Sequence, residues 1–137
     1  MAYWLMKSEP YEYSWSQLVA DGLNHWDGVR NYQARNNLRA MQTGDRAFFY
    51  HSNEGREIVG VMEIVKTAYP DPSDETGRFD MVDVKPVMPV VTPVTLAQIK
   101  ADPRLVDFAL IRQSRLSVAP VRDNEWAMLC AMAGIPA

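Results

Sequence analysis

The sequence predicts an α+β fold: a small sheet of five or six strands, closed or nearly closed, with helices between and after the strands. Two observations carry this. Short runs rich in aromatic and β-branched residues recur along the chain, bounded by Gly, Pro, Asn and Ser. Between and after them lie segments with helical spacing, several opening on a capping residue. The 137 residues contain no repeat, low-complexity tract or linker, so a single domain spanning 1–137 is expected.

Residues 3–7 are short, aromatic and apolar and read as a first strand, which Pro10 ends because it has no N–H for a ladder. Ser14 and Gln17 have capping-box spacing, with Trp15, Leu18 and Val19 as the apolar stripe of a short helix ending near Gly22. Residues 24–28 read as a loop. Residues 32–41 read as a helix with Leu38 and Met41 on one face and Arg35 and Arg39 at i, i+4, closed by Gly44. Residues 45–52 and 57–65 predict a hairpin turning at 53–56. Residues 69–77, with two prolines and three acids, read as a solvated loop or longer hairpin connection. Residues 79–86 alternate and predict a strand, and Pro86, Pro89 and Pro93 keep its extended continuation at an edge. Thr95 caps a helix that Asp102 and Pro103 stop, and 105–113 forms a weaker helical turn. Residues 115–121 predict a last strand, followed by a helix over 124–133 capped by Asp123 and closed by Gly134.

Composition narrows the function classes. Hydrophobic residues make up 47% and charged residues 23%, which is globular. Cys130 is the only cysteine, so an internal disulfide and a cysteine-rich zinc site are excluded. No stretch approaches the roughly 18 apolar residues of a membrane span, and the short apolar start meets Lys7 and Glu9. A soluble, intracellular, cytoplasmic monomer with no membrane partner is expected. The isolated glycines form neither a phosphate loop nor a dinucleotide fingerprint. His25, Asp27 and His51 are too few for a zinc site, so neither cofactor nor metal is expected. A Ser52–His51–Asp27 triad fails because neighbours on a strand point to opposite faces.

The unusual stretch is 26–39. Between Asp27 and Asp45 lie Arg30, Arg35 and Arg39 and no acid, in a chain of net charge −3. Such an island focuses anions, and it equally fits a solvated helix face. Trp26 sits among polar residues beside Gly28, where it can be a stacking platform for a flat ligand or a core residue. Trp4, Trp15 and Trp126 lie on apolar faces and are assigned to the core. Lys7, Ser8 and Glu9 supply a cation, a hydroxyl and a carboxylate at a strand end, as solvent and turn residues or as part of a pocket.

Several blocks resemble the EVE domain family of the PUA-like superfamily, which also holds YTH and ASCH domains. They are Trp4-Leu-Met-Lys-Ser-Glu-Pro10, the stretch 26–39, Gly44-Asp45, Phe49-Tyr-His-Ser-Asn53, Met81-Val-Asp-Val84 and Arg115-Leu-Ser-Val118, in the family's order and spanning nearly the whole chain. Phe79 departs from the tryptophan common in the family. The resemblance implies a PUA-like β-barrel with peripheral helices, acting as a noncatalytic reader of a modified nucleobase. Its partner would be nucleic acid carrying modified cytosine in DNA or a modified base in RNA. The implied base pocket takes Lys7, Ser8, Glu9, Trp26, Asn31, Tyr50, Ser52, Asn53 and Phe79, with Tyr50 and Ser52 on one strand face. Arg30, Arg35 and Arg39 would hold phosphates. Two alternatives stand beside this: an ASCH-like amidohydrolase acting on a modified nucleoside through Lys7 and Glu9, and a module binding a protein or small molecule.

Overall fold

The computed structural model describes residues Met1–Ala137 and contains six strands in the order β2-β5-β4-β3-β1-β6. β1 (Tyr3–Ser8) lies beside β3 (Arg46–His51), the sheet's one parallel pair, and every other neighbouring pair is antiparallel. A parallel pair needs a long crossover, and here it consists of α1 (Trp15–Asp21), β2 (Asn24–Trp26) and α2 (Tyr32–Ala40). The C-terminal ends of β1 and β3 therefore emerge together, with Lys7 opposite Tyr50 and Ser8 opposite His51.

Strand alternation divides the core in two. Trp4 and Met6 of β1 and Phe49 of β3 join Leu38, Met62 and Val84 on one side of the sheet, while Leu5 and Phe48 join Phe108, Trp126 and Leu129 on the other. α1 opens on the expected capping box, Ser14 with Gln17, and ends at Gly22 in the left-handed region. It lies over Gly60 of β4 (Glu57–Pro70), where an added Cβ would stand 2.5 Å from the Trp15 ring. α2 spans the approach between the sheet's two ends. Asn37 donates to the Val118 carbonyl at 2.7 Å on β6 (Val118–Val121), and Arg39 donates to Asp80 at 2.6 Å on β5 (Asp80–Thr95). α2 thus links β5 and β6, and β2 and β6 are the edges of the sheet.

Several expectations need correction. Residues 24–26 are not loop but strand β2, paired with Val82–Val84; three residues are too few to show a period. Tyr69 and Pro70 belong to β4, facing Met81 and Asp80, so the connection begins at Asp71. β5 runs through all three prolines as one strand; beyond Val84 it has no strand neighbour on its β2 side, so the missing N–H groups cost no ladder bond there. β6 starts at Val118 rather than 115, because Leu116 N–H closes a turn onto the Gln113 carbonyl. After α3 (Leu96–Ala101), capped by Thr95 and Gln98, the weak helical region divides into a 3₁₀ turn (Pro103–Leu105) and α4 (Ala109–Arg112). α5 (Asp123–Ala133) is capped at Arg122, whose N–H donates to the Glu125 carboxylate at 2.9 Å, and not at Asp123. No helix is long and apolar enough to cross a membrane.

Candidate functional site

A cleft of about 1040 Å³ opens where β1 and β3 end. Lys7, Ser8 and Glu9 line it from β1, Tyr50 from β3 and Ser52 and Asn53 from the following turn, Trp26 and Arg30 from β2 and the loop into α2. The parallel pairing makes this convergence. The Ser52 N–H donates to the Ser8 carbonyl at 3.0 Å, fixing the two exits side by side. Because Lys7 and Ser8 point to opposite sheet faces, only a cleft at the strand ends can be lined by both.

Several of the polar groups are held by hydrogen bonds. The Ser8 hydroxyl donates to the Tyr13 carbonyl at 2.6 Å, so towards a ligand its oxygen can only accept. The Lys7 ammonium donates to the Ser114 carbonyl at 2.8 Å and keeps two further N–H donors; burial lowers its pKa. Tyr50 is 3% exposed, and burial raises its phenol pKa, which keeps it protonated. Asn53 adopts φ 68° in the turn and donates from its amide to the Tyr11 hydroxyl at 3.2 Å. Next to the cleft wall, burial lowers the pKa of His51, whose Nε2 accepts the Trp15 N–H at 3.1 Å.

Trp26 lines the cleft but is 7% exposed and packs edge-on against Phe49, ring centroids 5.5 Å apart. It is a core residue that gives the cleft a narrow aromatic strip, not a free-standing platform. The loop after it is held by Asp71, a buried carboxylate that accepts from Gly28 N–H at 2.8 Å, from Arg30 at 3.0 Å, and from the N–H and hydroxyl of Ser73 at 2.8 and 2.6 Å. Burial alone would raise the Asp71 pKa, but the bonds from Ser73, Gly28 and Arg30 outweigh it and hold it at about 2.

Four residues expected in the site lie outside the cleft lining. Asn31 caps α2, its side-chain oxygen accepting the Ala34 N–H at 2.9 Å. Phe79 is buried and stacks on Tyr32 at 5.1 Å. Arg35 lies over Tyr32 and donates to the Arg78 carbonyl, and Arg39 pairs with Asp80. Conversely, Arg56, Lys100, Ser114 and Arg115 line the cleft without having been singled out as its ligands. Only Arg115 carried a signal, as the first residue of a family block. In all, the lining holds five Lys or Arg side chains against three acids, Glu9, Glu12 and Asp27, a local positive excess on a chain of net charge −3. A flat, hydrogen-bonding ligand attached to an anion fits this combination of acceptor, ammonium, aromatic strip and positive charge.

Comparison with known proteins agrees with the architecture. A Rhodopseudomonas palustris protein, 57% identical, superposes with a TM-score of 0.92 over 98% of this chain and 94% of that one. Human thymocyte nuclear protein 1 is 36% identical over 96% of this chain and 73% of its own length. Its structure in complex with 5-methylcytosine-containing DNA superposes with a TM-score of 0.91, at 36% identity and complete coverage of both chains. The YTH domain of the Zygosaccharomyces rouxii MRB1 protein, solved in complex with N6-methyladenosine RNA, is only 14% identical, and its TM-score of 0.62 over 99% of this chain and 88% of that one shows the shared PUA-like fold alone. The EVE domain family matches residues 2–132, and the chain belongs to that family.

Proposed function

We propose that the protein is a noncatalytic reader of nucleic acid carrying a modified base, and that the base enters the cleft at the ends of β1 and β3. The observation that carries this reading is that Ser8, an oxygen limited to accepting, and Lys7, a donor, both line a cleft with an excess of positive side chains. Cytosine presents an exocyclic amine beside carbonyl and ring-nitrogen acceptors, the complement of that pair. The complex of the human relative with 5-methylcytosine DNA supports the choice of modified cytosine. Glu9, Tyr50, Ser52 and Asn53 complete the polar lining, Trp26 supplies the aromatic strip, and Arg30 stands at the rim. A single, monomeric EVE domain acting in the cytoplasm goes with this reading.

The test is fluorescence anisotropy with one oligonucleotide carrying either 5-methylcytosine or cytosine. The protein should prefer the modified strand, and Trp26→Phe, which keeps an aromatic ring against Phe49, should reduce that preference several-fold. Stacking is worth roughly 1–3 kcal/mol per base, and a narrow strip sits at the low end. Equal affinity of the wild type for both strands overturns the reading. The amidohydrolase alternative would use Lys7 and Glu9; turnover of an acylated cytidine, abolished by Lys7→Ala, would favour it over the reader.

A further inference from the structure

The arginines of the 26–39 stretch do not supply the cleft's free charge. Arg39 is neutralised by Asp80, Arg35 is laid over Tyr32 outside the cleft, and Arg30, though at the rim, shares its charge with Asp71. The lining is also electrically lopsided. Its three acids all belong to the β1–α1 and β2–α2 segments, which contribute Lys7 and Arg30 against them. The β3–β4 turn, α3 and the α4–β6 segment contribute Arg56, Lys100 and Arg115 and no acid.

These three side chains are exposed, and none forms a salt bridge. The carboxylate nearest in sequence to Lys100, Asp102, is bound by Arg104 at 2.7 and 3.0 Å. Arg56 donates from Nε to the Asn53 carbonyl at 3.3 Å, which holds the guanidinium on the turn while its terminal nitrogens remain available. An anionic polymer leaving the base pocket meets attraction where these three segments line the cleft and mixed charge where the β1–α1 and β2–α2 segments do.

We propose that the phosphodiester backbone flanking the bound base runs along the wall formed by Arg56, Lys100 and Arg115, and that Arg35 and Arg39 are structural. This rests on the reader assignment above. The experiment measures binding of the 5-methylcytosine and cytosine oligonucleotides between 50 and 200 mM salt, for wild type, for Arg56→Ala/Lys100→Ala/Arg115→Ala, and for Arg35→Gln/Arg39→Gln. Each phosphate contact contributes a slope of about 0.9 on duplex or about 0.7 on single-stranded DNA in log affinity against log salt. The triple variant should flatten the slope by roughly two to three contacts and weaken both oligonucleotides alike, keeping the preference between them. The α2 pair should leave slope and preference unchanged. An unchanged slope in the triple variant, at an unchanged melting temperature, overturns the proposal, as does a flattened slope in the α2 pair. Loss of salt-dependent binding without any wild-type base preference would refute the reader and leave the backbone wall supported. No wild-type binding to either oligonucleotide refutes both.

Discussion

Replacing Asp71 by Asn tests how the cleft wall is held. The carboxylate divides its bonds: Oδ1 accepts twice from Ser73, and Oδ2 accepts from Gly28 N–H and Arg30. An amide can keep its oxygen on only one of these sides, and its NH₂ then faces donors on the other, so neither orientation satisfies the site. The carboxyl's pKa of about 2 in the folded protein against an ordinary value of 3.8 gives the size of the loss. At about 1.4 kcal/mol per pH unit between the two states, Asp71→Asn should cost roughly 2–3 kcal/mol at pH 7. For a chain of this length that lowers the melting temperature by roughly 10 °C. The sign with pH follows. Because folding depresses this pKa, its stabilisation is complete above about pH 4 and is lost as pH falls through about 2. Thermal unfolding followed by circular dichroism should therefore show wild type and variant well separated at pH 7 and converging towards pH 2. Melting curves that coincide at pH 7, or that stay parallel from pH 5 to pH 2, would refute the assignment of Asp71 as the loop's anchor.

Gly60→Ala should destabilise by roughly 1–3 kcal/mol, since the new methyl would sit 2.5 Å from the rigid Trp15 ring and push α1 off the sheet. Urea unfolding measures this, and an unchanged midpoint would show that Trp15 does not pack there. His51→Gln keeps an acceptor for the Trp15 N–H but cannot titrate. Burial depresses the pKa of His51, so its contribution is present above about pH 6.5 and fades as pH falls. Wild type should lose more stability than the variant between pH 7 and 5, and equal losses would remove His51 from the pH response.

The elements legible in the sequence are those fixed by local chemistry. The Ser14–Gln17 and Thr95–Gln98 caps satisfy donors within four residues of themselves, and β1 and β3 carry enough aromatic and apolar residues in a short run to declare a strand. β2 was unreadable because its strand character comes from Val82–Val84, nearly 60 residues away; His25 and its partner Asp83 are separated by 58. The site residues at the strand ends, Lys7 to Glu9 and Tyr50 to Asn53, were legible as family blocks. Arg56 and Lys100 were not, because a single cation on a turn or a helix end looks like any solvated charge until the fold brings it to a cleft.

The α2 stretch shows how charge read along a chain can mislead. Arg30 pairs with Asp71 and Arg39 with Asp80, both at a separation of 41 residues, and Arg35 reaches the Arg78 carbonyl at 43. All three arginines therefore find their partners in one segment, 71–80, in the same chain order. A run of arginines without local acids had the form of an anion site, yet its counter-charges come from a segment that sequence distance conceals. Arg30 and Arg39 therefore tie the stretch to the β4–β5 connection at Asp71 and to β5 at Asp80, and Tyr32 adds its stack on Phe79. What the stretch contributes to binding is position: by anchoring Gly28 and Arg30 on Asp71, it holds the wall that faces the Lys7 and Ser8 pair.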